Sequence, residues 1–332
     1  MPVTYCVSHK EDVDGLSSAA LIKTVFDTRS TILVDYANFV PELGKLESEI
    51  SASTIDRLFI CDLGLSKKNE KTFLNIIKGI VSSGCKVTYI DHHDLAKDTA
   101  LALKKLGVAL VHTTEECTSV QIYNRFKKKI PSHAAFFAAA GALTDYMENQ
   151  PIASSIVSRF DKQFLMLESS ALSYMISANQ NNDKFLGNIV DTLAQMKYPH
   201  EIKNGFAIAE KYAHKVLQAI KSIEGSIIKT KNLAYAPGAA DSSASMVVNF
   251  VLGASERPAA LVYKFKDDID SYVVSIRGSK DCNVHLGRLV NEISSDLGGS
   301  GGGHDRACGA VVPKDRLQEF IHTLDSGIGT AR

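Results

Sequence analysis

The chain has 332 residues, 45% hydrophobic and 22% charged, with 37 basic residues against 37 acidic ones and a formal net charge of zero. That length is enough for two domains, and the composition is that of an ordinary globular protein. The balanced charge argues against a protein that coats long nucleic acid, which needs a broad basic surface, but it leaves room for a short anionic substrate held by local charges and a metal.

Residues 3–7, 31–36, 58–61, 87–90 and 108–112 are short β-prone runs, predicted as strands. Helical patterns lie between them at 16–26, 41–50, 67–82 and 98–106. This alternation predicts a doubly wound, mostly parallel sheet. Helices are then predicted over 118–129 and 132–143. Lys127, Lys128 and Lys129 close the first of these, where cations favour the helix dipole. Residues 160–176, 183–195 and 200–221 continue as helices. Strand patterns return at 226–230, 232–235, 259–265 and 271–276, with helical patterns at 243–252, 284–297 and 315–324, predicting a second, smaller α/β unit. The expected division is a first domain over 1–195, a helical linker over 196–222 and a second domain over 223–332. Residues 134–143, the most apolar helical stretch, fall far short of the ~20 residues needed to span a membrane. No basic flank with a long apolar core opens the chain, so no signal peptide is read. The six cysteines form no C-x-x-C pair, which suits reduced thiols in a cytoplasmic protein.

Three of the predicted strands stop on metal-ligand residues. The first leads into His9, Asp12 and Asp14, the third into Asp62, and the fourth into Asp91-His92-His93. Ligands of open α/β sheets gather at the carboxyl ends of strands, so these residues are expected to form one cluster. Asp12 and Asp14 alternate across an extended backbone and could face two ions, and Gly15 permits the sharp turn into the next helix. Asp62 could bridge two ions through its two oxygens. Asp145, after the apolar helix, could complete the coordination. Singly, each acid is an ordinary helix cap; their conjunction is what points to a metal centre. Hard oxygen donors with a minority of imidazoles suit two divalent cations, Mn²⁺ first, with Mg²⁺, Co²⁺ or Zn²⁺ as alternatives. Two ions ~3.5–4 Å apart can clamp a phosphoryl group and activate a hydroxide for in-line attack.

The tail carries Gly298-Gly299-Ser300-Gly301-Gly302-Gly303-His304, followed by Asp305 and Arg306. Glycines at this density let backbone N–H groups approach an anion. It is no P-loop, since no Gly-Lys-Ser/Thr follows. Arg277 ends a predicted strand, and an arginine fork suits phosphate. The tail is therefore expected to be a substrate-binding, glycine-rich loop facing the metal site across an interdomain cleft.

These motifs resemble the DHH phosphoesterase family, named for the motif that Asp91-His92-His93 occupies here. The tail is similar to the type-one DHH-associated domain, whose hallmark GGGH corresponds to Gly301, Gly302, Gly303 and His304. RecJ-like exonucleases and nanoRNases share this pairing. The resemblance implies that His9 and Asp12 bind one ion, that Asp14, His92 and Asp145 bind the other, and that Asp62 bridges. It implies that Asp91 orients an imidazole and that His93 faces the scissile phosphate as donor or electrostatic stabiliser. Arg277, Arg306 and the GGGH segment would hold the substrate's terminal phosphate or its backbone. Lys10 and Glu11 separate His9 from Asp12, a departure from the spacings common in the family that makes Glu11 the alternative ligand.

The leading expectation is an Mn²⁺-dependent phosphodiesterase that hydrolyses short single-stranded RNA or DNA to mononucleotides by metal-activated water. The second keeps the chemistry on a small nucleotide: a linear or cyclic dinucleotide, or 3′-phosphoadenosine 5′-phosphate. The third is a non-catalytic subunit that binds nucleic acid or protein. A homodimer is implied by resemblance alone.

Overall fold

A computed structural model describes residues 2–52, 55–239, 242–303 and 305–330. The chain divides between Tyr212 and Ala213 into two compact units. The division falls inside the nineteen-residue helix α10, numbered below.

In the first unit the elements run β1 (Thr4–His9), α1 (Val13–Phe26), β2 (Ser30–Val34), α2 (Phe39–Ala52), β3 (Arg57–Cys61), α3 (Lys67–Ser82), β4 (Lys86–Asp91), α4 (Lys97–Lys105) and β5 (Ala109–His112). The helices α5 (Thr118–Phe126), α6 (Ala135–Thr144), α7 (Pro151–Val157), α8 (Lys162–Ser177), α9 (Asp183–Ala194) and α10 (Gly205–Ile223) follow. The five strands are all parallel, in the order β2-β1-β3-β4-β5. The chain leaves β1 toward β2 on one side and returns to β3 on the other. The sheet therefore reverses its winding at β1, and the crevice beyond the ends of β1 and β3 is where such sheets bind ligands.

Both faces of this sheet are covered, which is why its strands read as nearly continuous apolar runs. One face packs Leu16 and Ile22 of α1 with Val120 of α5, Phe136 and Phe137 of α6 and Leu172 of α8. The other packs Leu43 and Leu46 of α2, Phe73 and Ile77 of α3, Leu103 of α4 and Tyr89 of β4. Helix α6, with the sequence AFFAAAGALT, is buried from Ala135 through Ala142, as an all-round apolar helix must be. That accounts for the most apolar stretch of the sequence without a membrane, and no helix among the described residues is long and apolar enough to cross one.

In the second unit the order is β6 (Ile228–Lys229), β7 (Leu233–Pro237), α11 (Ala244–Ser255), β8 (Ala259–Lys266), β9 (Ser271–Gly278), α12 (Leu286–Asp296), β10 (Ser300–Gly303), β11 (Ala307–Pro313) and α13 (Leu317–Thr330). Its sheet runs β10-β11-β9-β8-β7-β6. All its pairs are antiparallel except β7 with β8. Leu286 and Val290 of α12 with Phe320 and Leu324 of α13 cover one face, and Val247, Val248 and Val251 of α11 cover the other.

The glycine-rich segment differs from the expected loop. Ser300–Gly303 is an edge strand, with Ser300 opposite Val311 and Gly303 opposite Cys308. His304 lies outside the described residues. Close packing explains part of the glycine content. Gly303 has φ of +133°, and a Cβ there would sit 2.6 Å from the Ala307 carbonyl oxygen. Gly303→Ala is therefore expected to cost about 1–3 kcal/mol of stability, read as a lower urea midpoint of the full chain. An unshifted midpoint would show that this edge tolerates a side chain.

Candidate metal centre

The register of the first sheet brings three strand ends level: Ser8 lies opposite Cys61, and Cys61 opposite Ile90. The residues just beyond these positions are His9, Asp62 and the Asp91-His92-His93 run. His9, Asp14, Asp62, Asp91 and His92 are all buried.

His9 closes β1. Its Nδ1 sits 2.8 Å from Asp12 Oδ2 and 3.7 Å from Asp62 Oδ2, and its Nε2 lies 3.5 Å from Glu11 Oε2. Asp12 is the N-cap of α1, where its Oδ1 accepts a hydrogen bond from Gly15 N at 2.8 Å. Asp14, in the first turn of α1, points at the start of α5. Its Oδ2 accepts from Thr118 N at 2.8 Å, and its Oδ1 accepts from Ser119 N at 3.0 Å and Ser119 Oγ at 2.5 Å. The free N–H groups and dipole of a helix N-terminus stabilise such an anion. Gly141 of α6 allows this approach, because a Cβ there would meet Asp14 Oδ1 at 2.6 Å.

Asp62 follows β3 with φ of +58°, a left-handed conformation that aspartate tolerates better than most residues. Its N–H donates to Ile90 O at 3.0 Å, which ties the turn to β4. Its Oδ1 accepts from Thr118 Oγ1 at 3.1 Å and lies 3.2 Å from His92 Nε2. The same His92 nitrogen is 3.6 Å from Oδ2 of Asp145, the C-cap of α6. All six side chains expected to hold metal thus meet at one sheet edge. His93 takes a different position: its Nδ1 is 2.9 Å from Asp91 Oδ1, and its backbone N–H donates to Asp91 Oδ2 at 3.1 Å.

Three sets of side chains place ligand atoms within 4.8 Å of one another: His9, Asp12 and Asp62; Asp62, His92 and His93; and Asp14, Cys117 and Asp145. Asp62 is shared by the first two, and Glu11 belongs to none. Sequence reasoning missed Cys117, Thr118 and Ser119. The signal available was a polar Thr-Ser pair opening a helix a short turn after a strand, an anion-binding arrangement. It also missed Tyr36, whose hydroxyl lies 2.8 Å from His93 Nε2 and whose ring centroid is 4.6 Å from that of His9.

The electrostatics of this cluster call for cations. Burial, reinforced by Asp62, pushes the Asp14 carboxyl up to about 6. Burial and the neighbouring Asp14 and Asp12 raise Asp145 well above the ordinary carboxylate range. Burial opposes the ionisation of Asp62, yet the His9 and His92 imidazoles beside it hold it well below that range. Burial likewise opposes charge on the imidazoles, but the surrounding carboxylates together outweigh it, Asp12 with Asp62 and Glu11 at His9 and Asp62 with Asp145 and Asp14 at His92, so both are raised well above the ordinary histidine value. Both ring nitrogens of His9 are buried without a hydrogen bond of normal geometry among the described residues. Several buried carboxylates gathered around two buried imidazoles fit divalent ions.

In the second unit, Arg277 on β9 pairs with Ala307 on β11, Gly303 pairs with Cys308, and Gly278 N donates to Arg306 O at 2.9 Å. Arg277, Arg306 and the end of the glycine-rich strand thus share one end of this sheet. The Arg277 Nη1 donates to Ile276 O at 2.9 Å, while its Nε is buried with no hydrogen bond among the described residues. Arg306 Nε lies 3.9 Å from Asp305 Oδ2.

Residues 230–330 match the DHHA1 domain family. With its parallel five-stranded unit followed by this domain, the chain has a RecJ/DHH-like two-domain fold. A curated relative, an uncharacterized protein of Methanocaldococcus jannaschii, is 29% identical over 181 residues, covering 54% of this chain and 39% of its own. The chain thus spans about two fifths of the length of that relative. Among solved structures, the chain is similar to the DHH domain of a member of the S1p family of ribosomal proteins, with a TM-score of 0.71, 12% identity, and coverage of 98% of this chain and 86% of that one. RecJ from Thermus thermophilus in complex with Mn²⁺ gives a TM-score of 0.60 at 12% identity, covering 98% of this chain and 52% of RecJ. A pGpG-specific phosphodiesterase from Vibrio cholerae gives 0.58 at 11% identity, covering 99% and 100%.

Proposed function

We propose that the protein is an Mn²⁺-dependent phosphodiesterase that hydrolyses short single-stranded oligonucleotides to mononucleotides. The observation that carries this reading is the convergence of His9, Asp12, Asp14, Asp62, His92 and Asp145 at the winding reversal of the sheet, with both His9 nitrogens against carboxylates but in no hydrogen bond of normal geometry among the described residues. His9 and Asp12 would hold one ion and Asp14, His92 and Asp145 the other, with Asp62 as the shared ligand, a role that its place in two of the three ligand sets supports. An oxygen-rich set with a minority of imidazoles favours manganese. When bound, the ions supply Lewis acidity to the phosphoryl oxygens and lower the pKa of the attacking water.

The chain's own side chains do the rest. Asp91 accepts the Nδ1 proton of His93 and leaves Nε2 as the nitrogen directed away from it. His93 faces the scissile phosphate or the leaving oxygen as an electrostatic stabiliser. Arg277, with its unpaired Nε, and Arg306 bind a non-reacting phosphate together with Gly301, Gly302, Gly303 and His304. The six thiols are free and buried, which supports a reducing compartment, the cytoplasm.

A second reading places the same chemistry on a linear dinucleotide or another small nucleotide. It is supported by the likeness of the chain to the pGpG-specific phosphodiesterase. Product analysis decides between them, using end-labelled RNA and DNA of graded length, pGpG and 3′-phosphoadenosine 5′-phosphate, with Mn²⁺ supplied. Mononucleotide release that is fastest from chains of a few nucleotides supports the first reading, and turnover confined to dimers or bisphosphates supports the second. A preference for chains of about twenty nucleotides sinks the short-substrate reading. Absence of hydrolysis with Mn²⁺, Mg²⁺ and Co²⁺ sinks both.

A further inference from the structure

Of the first four strand ends, the carboxyl end of β2 is the one to which the proposed chemistry assigns nothing. It carries Tyr36, on a turn that is built rather than loose. Asp35 Oδ1 accepts from Asn38 N at 2.8 Å and from Asn38 Nδ2 at 2.9 Å, and the Asp35 carbonyl accepts from Phe39 N at 2.9 Å. Lys10, just past His9, donates its N–H to Val34 O at 3.0 Å and places Nζ 3.6 Å from Asp35 Oδ2. The turn is thus fixed both within itself and to the end of β1. From it the Tyr36 side chain reaches across β1. Its ring packs on His9 at 4.6 Å between centroids, meets the His93 ring at 5.9 Å in an edge arrangement, and brings its hydroxyl to 2.8 Å from His93 Nε2.

We infer that Tyr36 is a positioning residue for His93, acting through its hydroxyl. This rests on the reading above that His93 faces the reacting phosphate. An imidazole bonded at one nitrogen can still rock about its last torsion, which has a broad well. Asp91 anchors Nδ1, and both Asp91 oxygens are committed to His93, one to the ring and one to the backbone N–H. The His93 carbonyl is held at 2.6 Å by His112 Nε2 at the end of β5. The ring also lies edge-on to the His92 ring, 4.6 Å between centroids, and a hydrogen bond at Nε2 adds direction within the ring plane, which packing alone does not give. With the proton on Nδ1 facing Asp91, Nε2 accepts and the Tyr36 hydroxyl donates. The result is a line from Asp91 through His93 to Tyr36 that holds the imidazole flat and in one tautomer. Such outer partners of an active-site imidazole are worth about 10–100-fold in activity.

The test uses Tyr36→Phe, which keeps the ring on His9 and removes the hydroxyl alone. On the substrate that wild type hydrolyses, kcat is expected to fall about 10–100-fold, with KM and the Mn²⁺ dissociation constant within about twofold. Tyr36→Ala should lose the same factor in kcat if the hydroxyl is the active part. A Tyr36→Phe rate equal to or above wild type overturns the proposal. So does a fall accompanied by loss of Mn²⁺ binding, which would make Tyr36 a structural support of the metal cluster. A second arm is independent of activity: long-range ¹H–¹⁵N spectra of the Mg²⁺-loaded protein, with the His93 ring assigned through His93→Gln. The expected wild-type pattern is the Nδ1–H tautomer, with an Nε2 resonance that moves in Tyr36→Phe. An unmoved Nε2 resonance refutes the hydrogen bond even if no substrate is found, and a moved resonance in an inactive wild type places the failure with the phosphodiesterase reading instead.

Discussion

Asp62→Asn is expected to lower kcat/KM for oligonucleotide hydrolysis by about 10³-fold or more while leaving the chain folded. The substitution preserves the shape of the side chain and its hydrogen bond with Thr118 Oγ1, 3.1 Å away. It removes the charge that lies beside both His9 and His92. A neutral amide presents one weak oxygen where a carboxylate presents two charged ones, so a bridging role is lost outright. Deleting a neighbour such as Asp12 leaves half of the proposed cluster intact and should cost less. The measurement is the initial rate at saturating Mn²⁺, with circular dichroism as the control for folding. A folded Asp62→Asn protein within tenfold of wild type would show that no ion is shared at this position.

Adding Mn²⁺ to the metal-free chain should raise its melting temperature by roughly 10–20 °C, with a larger rise at pH 8 than at pH 6. Each ion at about a hundred times its dissociation constant contributes about 2.7 kcal/mol to the folded state. For a unit of this size, 1 kcal/mol moves the transition by about 2–4 °C. The pH trend follows from the cluster without metal. His9, His92 and Asp14 bind protons more tightly in the folded chain than their ordinary values allow. A raised folded-state pKa stabilises at low pH and is lost as pH climbs through it, so the metal-free chain weakens on the alkaline side. Asp14, pushed from 3.8 to about 6, is ionised at neutral pH at a cost on the order of 3 kcal/mol. The metal-bound chain has exchanged those protons for cations, so the gap between the two widens with pH. Differential scanning fluorimetry with EDTA or Mn²⁺ at the two pH values checks it. A gap that is equal or smaller at pH 8 would mean that these groups are not the ligands.

Much of this was legible in the sequence because parallel strands leave a strong signature. Runs such as Leu58-Phe59-Ile60-Cys61 are buried on both faces, and a charged residue directly after such a run is conspicuous. That made His9, Asp62 and Asp91-His92-His93 stand out, and the 2-1-3-4-5 order brings their ends together. Tyr36 was hidden because tyrosine after a β-prone run looks like more strand, and its role depends on a neighbour fifty-seven positions away. Thr118 and Ser119 were hidden because their partner, Asp14, is more than a hundred residues distant. Strands β10 and β11 were missed for a local reason. Glycine and alanine carry little strand propensity, so only the pairing of β10 with β11 and of β11 with β9 shows that these residues form a sheet. Helix α7 was missed because seven residues hold too few turns to show a period. Its N-terminus is set instead by the buried Glu116, whose Oε2 accepts from Ala153 N at 3.0 Å.

The burial of all six thiols has a practical corollary. A disulfide-exchange reagent that colours on reaction should find almost nothing to titrate in the native protein and six equivalents once denaturant is added. Slow labelling under native conditions would then report how often each core opens, with Cys6, Cys61, Cys85 and Cys117 as reporters for the first unit and Cys282 and Cys308 for the second. Nature has placed an internal clock in each half of the molecule, and mass spectrometry can read the two separately.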